Sequence, residues 1–325
     1  MDMEVLPMKN KPAITAALCA AAALIFSARE ASAACLAALE LCSRLIIPSL
    51  FPFFVLSVLL NRLGLPGVLG RLFAPLSSRV YGISGAGASA LLIGLTGGYP
   101  LGAAYIADME RQGSISASEG ERLLGFCNNS GPAFIIGAVG SGVFHSVGIG
   151  LLLYAVHIFS ALATGLFFRC RSYCRETQPV LLDSVPPAAA FSEAVRMSVV
   201  SVLNVCGFVV CFSVIVALLD AQGLFSLACG FLSERLGWEL HFSRSLLTGI
   251  MELGSGIGAM EGLPCTPYTL SLAAGILGWG GLSVHFQTMS VISDSKIKGA
   301  LHITGRLISA CIAAMAAYFA GLVTL

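Results

Sequence analysis

The sequence predicts an all-α polytopic membrane protein with two inverted repeats, each carrying a re-entrant helical hairpin and a broken transmembrane helix. Three observations predict it. First, the 325 residues are 57% hydrophobic and 11% charged, against about 25% charged in soluble domains, and the mean hydropathy is +0.88. Second, two apolar stretches, residues 87–108 and 243–264, are interrupted at their centres by glycine. A spanning helix needs about 20 apolar residues without a break. Two short arms around a glycine tip read instead as a hairpin that returns to its own side. The tip leaves backbone N–H and C=O groups unpaired at membrane depth, which is tolerated only against protein or a wet cavity. Third, the same order of elements recurs in the two halves, and paired interruptions of this kind are the sequence pointer to a transporter's binding site.

Seven crossings and two hairpins account for the apolar sequence. The first crossing is 12–27, entered from Lys9 and Lys11. Small residues follow at Ala31, Ser32 and Ala33, so a cleaved signal peptide is the alternative to an uncleaved first helix. An amphipathic interfacial stretch at 31–44 leads into the second crossing, 45–60. Segment 64–82 is apolar between Arg62, Arg71 and Arg79 and reads as an interfacial helix. The first hairpin and a polar loop at 109–121 follow. The third crossing, 123–143, is broken by Cys127-Asn128-Asn129-Ser130-Gly131-Pro132. The fourth is 147–168, and a proline-bearing polar linker, 169–187, separates the halves. The fifth crossing, 198–219, and an interfacial stretch, 224–240, lead to the second hairpin. The sixth, 268–293, is broken by Gly278-Trp279-Gly280-Gly281-Leu282-Ser283, and the seventh is 300–321.

This divides the chain into a first helix (1–30), a first repeat (31–143), a connecting helix and linker (144–192), a second repeat (193–295) and a C-terminal helix (296–325). Short matches support the duplication: Ala90–Leu95 reads ALLIGL and Ser245–Ile250 reads SLLTGI. Each repeat holds two crossings and a hairpin, so the single crossing between them turns the second upside down. Basic residues point the same way. With the N-terminus cytoplasmic and the C-terminus outside, only Arg29, Arg235 and Arg244 fall clearly on the outer side.

Composition also excludes classes. A net charge of +1 gives no footprint for nucleic acid. The cysteines lie mostly in apolar runs, where they act as small hydrophobes. Cys170 and Cys174 form a lone C-x-x-x-C with no second ligand pair, so no metal is expected. Gly-rich runs such as Gly94-Leu95-Thr96-Gly97-Gly98 lack the Gly-Lys-Ser/Thr of a phosphate loop. No catalytic residues and no cofactor are legible, and the chain is not read as an enzyme.

The candidate site residues lie at the breaks. Thr96, Gly97, Gly98, Tyr99 and Pro100 form the first tip, where glycine permits a sharp turn. The half-helix that follows aims N–H groups and partial positive charge at whatever occupies the cavity. Asn128, Asn129, Ser130 and Gly131 put two amides and a hydroxyl at mid-membrane, costly unless partnered. Glu252 is the acidic residue of the second tip and a candidate proton or coupling-ion site, with Ser255 beside it. Its alternative is a structural ion pair with Arg44 or Arg306. Ser283 and Gln287 share a helical face, from which His285 points away. His157 and His145 read as structural.

Five segments resemble the YlbJ (SpoVV-type) sporulation integral membrane proteins: IPSLFPFFVLS at 47–57, TGGYPLGA at 96–103, FCNNSGPAF at 126–134, ELGSG at 252–256 and GWGGLSVHFQ at 278–287. That family is similar to the nucleoside-recognition "gate" proteins and concentrative nucleoside transporters. The resemblance implies a protein of the outer forespore membrane in a sporulating bacterium, passing the small anion dipicolinic acid from the mother cell toward the spore. It also implies a role in forming the spore cortex. The tips lack the Gln-Thr-Glu set of the nucleoside transporters, which weakens a nucleoside reading and Na⁺ coupling. The lipid bilayer, an anionic solute, a second copy of the chain and other sporulation membrane proteins are the expected partners. A nucleoside-like solute and a non-transporting scaffold for spore-envelope assembly are the alternatives.

Overall fold

The computed structural model describes residues 11–170 and 186–325; Lys9, Arg171, Cys174, Arg175 and most of the expected linker lie outside them. Every regular element among the described residues is helical. The described residues open with α1 (Lys11–Phe26). Sixteen residues of helix reach about 24 Å at 1.5 Å each, short of a hydrocarbon core of about 30 Å.

Next comes α2, Ala28–Arg62, one continuous helix of 35 residues. The interfacial stretch expected at 31–44 is therefore a correction: it is the first part of this helix. Ala31 and Ala38 are buried along it, and it packs against the long helix of the second half. No glycine or proline interrupts the sequence before Pro48, so nothing ends the helix there. Pro48 removes the N–H that would serve the carbonyl of Arg44. The chain absorbs that defect in a wide π-type turn at Cys42–Ile46 rather than breaking.

Gly64, at φ +81°, turns the chain into α3 (Leu65–Tyr81). A second turn at Gly82 leads to α4 (Gly85–Gly97), bent 95° from its predecessor. The first hairpin is α4 and α5 (Leu101–Arg111). The broken crossing is α6 (Ala117–Cys127) and α7 (Ala133–Val143), the latter wound with π spacing. Then comes α8 (Val147–Phe167).

The second half repeats this order. It has a 35-residue helix α9 (Pro187–Ala221), then Gly223 at φ +75°, then α10 (Leu224–Leu236) and Gly237 at φ +66°. The second hairpin is α11 (Leu240–Met251) and α12 (Leu253–Gly258), followed by α13 (Pro267–Trp279), α14 (Gly281–Ile292) and α15 (Ala300–Thr324). The returning arm α12 has only six residues, shorter than expected. Glycines at 254, 256 and 258 give it little helical propensity.

Seven crossings were expected; among the described residues five helices are long and apolar enough to span, Ala28–Arg62, Val147–Phe167, Pro187–Ala221, Pro267–Ile292 (with the break at Gly280) and Ala300–Thr324, and the bent pair 67–81 and 85–97 makes a sixth if it counts as one span. The first expected crossing is the short α1. The third is split, because α6 carries Glu119, Glu121 and Arg122 whereas α7 carries no charge.

The long helices α2 and α9 pack together, as do α8, α13 and α15. One apolar cluster, including Phe54, Phe134, Leu153, Val205, Ile257 and Leu277, joins both halves. Side chains such as Phe26 (87% exposed) and Leu227 (72%) cover the outside. An apolar surface of this kind is suited to lipid rather than water.

Candidate functional site

Glycine contacts set the geometry of both breaks. In the first hairpin, a β-carbon at Gly102 would lie 3.1 Å from the Cα of Gly94, and one at Gly94 would overlap the Cys127 carbonyl. In the second, Gly249 and Gly256 meet in the same manner. Each tip then rests on the break of its neighbouring helix. A β-carbon at Gly98 would sit 2.9 Å from the Gly131 nitrogen, and one at Gly281 would sit 2.9 Å from the Leu253 nitrogen. These close approaches draw four non-helical stretches to one point in the core.

A pocket of about 50 Å³ lies there. Gly98 and Tyr99 come from the first tip, Ser130 and Gly131 from the first break, Glu252 and Gly254 from the second tip, and Gln287 from just past the second break. Ile46 and Leu50 of α2, with Val205 and Val209 of α9, complete the wall.

Glu252 is 2% exposed and takes extended backbone between α11 and α12. Its carboxylate accepts the N–H groups of Gly254 at 2.9 Å and Ser255 at 2.5 Å, and the Ser283 hydroxyl at 3.4 Å. It therefore satisfies orphan donors of the short α12 and benefits from their partial positive charge. Neither ion pair considered for it forms among the described residues. Arg44 pairs with Glu40 at the surface, at 2.9 Å.

Asn128 and Asn129 are fully buried and act as struts behind the pocket. Asn128 accepts the Ala103 N–H at 3.3 Å and donates to the Thr288 hydroxyl at 2.9 Å. Asn129 donates to the Phe126 carbonyl at 2.8 Å and accepts from Arg306 at 2.8 Å. Ser130 donates its N–H to His157 Nε2 at 3.1 Å, while its hydroxyl has no protein partner.

Of the residues singled out from sequence, Gly98, Tyr99, Ser130, Gly131, Glu252 and Gln287 line the pocket, and Ser283 touches it through Glu252. Gly97 and Pro100 flank the tip without lining it; the Tyr99–Pro100 bond is cis. Thr96 is exposed, and its hydroxyl donates back to the Leu92 carbonyl at 2.8 Å. Ser255 pairs with Ser213 at 3.0 Å. His285 turns away, as its helical position requires, and stacks edge-on with Trp279 and His302.

Sequence reasoning named Arg306 only as a possible ion-pair partner of Glu252. It is fully buried, donating to Asn129, to the Tyr99 hydroxyl at 3.2 Å and to the Gly125 carbonyl at 3.2 Å. A signal was present. His302, Arg306 and Ser309 form a polar stripe at helical spacing on a largely apolar helix.

Among the described residues no group of three or more His, Cys, Asp or Glu is placed to hold a metal. A wider cavity of about 890 Å³ lies outside the first hairpin, lined by Asn61, Arg62, Arg71, Tyr105, Asp108 and Gln112 among others.

The fold and site define a polytopic all-helical membrane protein whose polar side chains gather at helix breaks inside the core. A curated relative, the sporulation integral membrane protein YlbJ of Bacillus subtilis (strain 168), is 31% identical over 298 residues, covering 83% of this chain and 72% of the relative. The chain belongs to the YlbJ family of sporulation integral membrane proteins. No family model matches it, and no solved structure does.

Proposed function

We propose that the chain is a transporter of a small carboxylate anion, of the dipicolinate class, working in the outer forespore membrane. The observation that supports this reading is the meeting of two hairpin tips and two helix breaks around one pocket. A scaffold has no need of non-helical backbone converging on one pocket in the core, whereas a transporter uses it to touch solute. The pocket, at about 50 Å³, is far below the roughly 300 Å³ at which small-molecule sites begin. On this reading the pocket widens to admit solute when a tip moves. The cavity beside Arg62 and Arg71 is the vestibule from which the first hairpin receives it. The two halves act as inverted repeats, exposing the pocket to opposite sides in turn, with no covalent chemistry.

The test is uptake of labelled dipicolinate into proteoliposomes of purified protein, beside labelled uridine, with and without a pH gradient. Saturable dipicolinate uptake is expected. Uridine uptake in its place would overturn the solute, and no uptake of either by folded protein would turn the reading to a scaffold.

A further inference from the structure

Among the described residues, Arg306 carries a charge that no acidic side chain pairs with. Its guanidinium is a five-donor cation, and it is 0% exposed. Its three partners, Asn129, Tyr99 and the Gly125 carbonyl, are neutral, and its Nε has no partner. No carboxylate pairs with it among the described residues. A buried cation without its counter-ion costs several kcal/mol, and inside a membrane such a residue marks a solute or ion path.

Its surroundings are polar and incompletely satisfied. His302, one turn earlier, faces the Leu124 carbonyl through Nδ1 at 3.2 Å, and its Nε2 has no partner. His285, 5.0 Å away ring to ring, has no partner on either nitrogen. Histidine is neutral or positive, so neither ring can neutralise the arginine. The route from Arg306 to the pocket is one side chain long. Tyr99 takes its hydrogen bond and lines the pocket wall. The break at Gly280 makes room, since a β-carbon there would lie 3.1 Å from the Tyr99 oxygen.

The geometry points to Arg306 as the selectivity residue of the pocket: a fixed positive charge that, through Tyr99 and Asn129, makes the site prefer an anionic solute over its neutral isostere. This rests on the transporter reading and names the group that sets its charge preference. Arg306 is a positioning residue, since Tyr99 rather than the guanidinium forms the wall.

The experiment measures how well an aromatic dicarboxylate and its neutral dicarboxamide compete for labelled dipicolinate uptake in proteoliposomes. Wild type is compared with Arg306→Gln, Arg306→Lys and Asn129→Asp. The last keeps the arginine and its hydrogen bond but adds the missing counter-charge. Wild type is expected to favour the dicarboxylate at least tenfold. Arg306→Gln and Asn129→Asp should bring the ratio toward one, and Arg306→Lys should retain most of it. A folded Asn129→Asp or Arg306→Gln protein that keeps the wild-type ratio overturns the inference and leaves transport standing. Absence of uptake in the wild type removes the transporter reading and this inference with it.

Discussion

The amide of Asn128 ties the first hairpin to the far half of the chain, and a double-mutant cycle measures how firmly. Its Oδ1 accepts from Ala103 and its Nδ2 donates to Thr288, 160 residues away in sequence. The Ala103 N–H belongs to the first turn of α5, where no helical carbonyl serves it. Asn128→Ala leaves that N–H without its acceptor and the hydroxyl without its donor. Each stranded buried group costs about 1–3 kcal/mol, so the loss is about 2–6 kcal/mol. Thr288→Ala removes only the second contact but strands the buried Asn128 Nδ2, costing about 1–3 kcal/mol. If the pair is direct, the double variant is less destabilised than the sum of the singles, with a coupling of about 0.5–3 kcal/mol. Thermal unfolding in detergent, followed by tryptophan emission, supplies the four values. Additivity within about 0.5 kcal/mol would refute the claim that Asn128 joins the halves.

Further outcomes follow from other contacts. Glu252→Gln keeps one side-chain oxygen as an acceptor at the second tip, whereas Glu252→Ala removes the acceptors of both Gly254 and Ser255. Gln should therefore be the more stable by about 1–3 kcal/mol; equal unfolding temperatures would mean the carboxylate does not hold the tip. Gly98→Ala forces a left-handed backbone on a side chain at φ +80° and presses on Gly131, costing about 1–3 kcal/mol. Gly207→Ala, with no atom within 4 Å, should stabilise α9 by about 0.5–1 kcal/mol. Reversal of that order in the same unfolding assay would count against the packing of tip on break. Arg62 and Glu193 meet at 2.7 Å with about a third of each side chain exposed. Arg62→Ala should change stability by only about 0–1 kcal/mol, and a larger loss would show the ends of α2 and α9 to be more tightly coupled.

Much of this architecture was legible because it depends on local rules. Glycines at 98, 223 and 280 take positive φ, which other residues resist, so turns and breaks fall where glycine does. Apolar runs become helices because no backbone group can stay unpaired in lipid. The hairpins at 87–108 and 243–264 and the two broken helices could therefore be placed without coordinates. The continuity of α2 could not. A charged stretch reads the same on an interfacial helix and on the end of a long one, and packing against α9 decides between them. Arg306 is the sharper case. The adjacent Gly305 lets α15 lie backbone to backbone on α6 at Gly125, and that approach carries the guanidinium to Asn129 and Tyr99. Burial of a side chain depends on what arrives from elsewhere in the chain. The sequence by itself determined where the helices break, because that is set residue by residue. Only the tertiary structure decided that the breaks share one pocket with a buried positive charge behind it, because that depends on contacts between residues up to 207 positions apart.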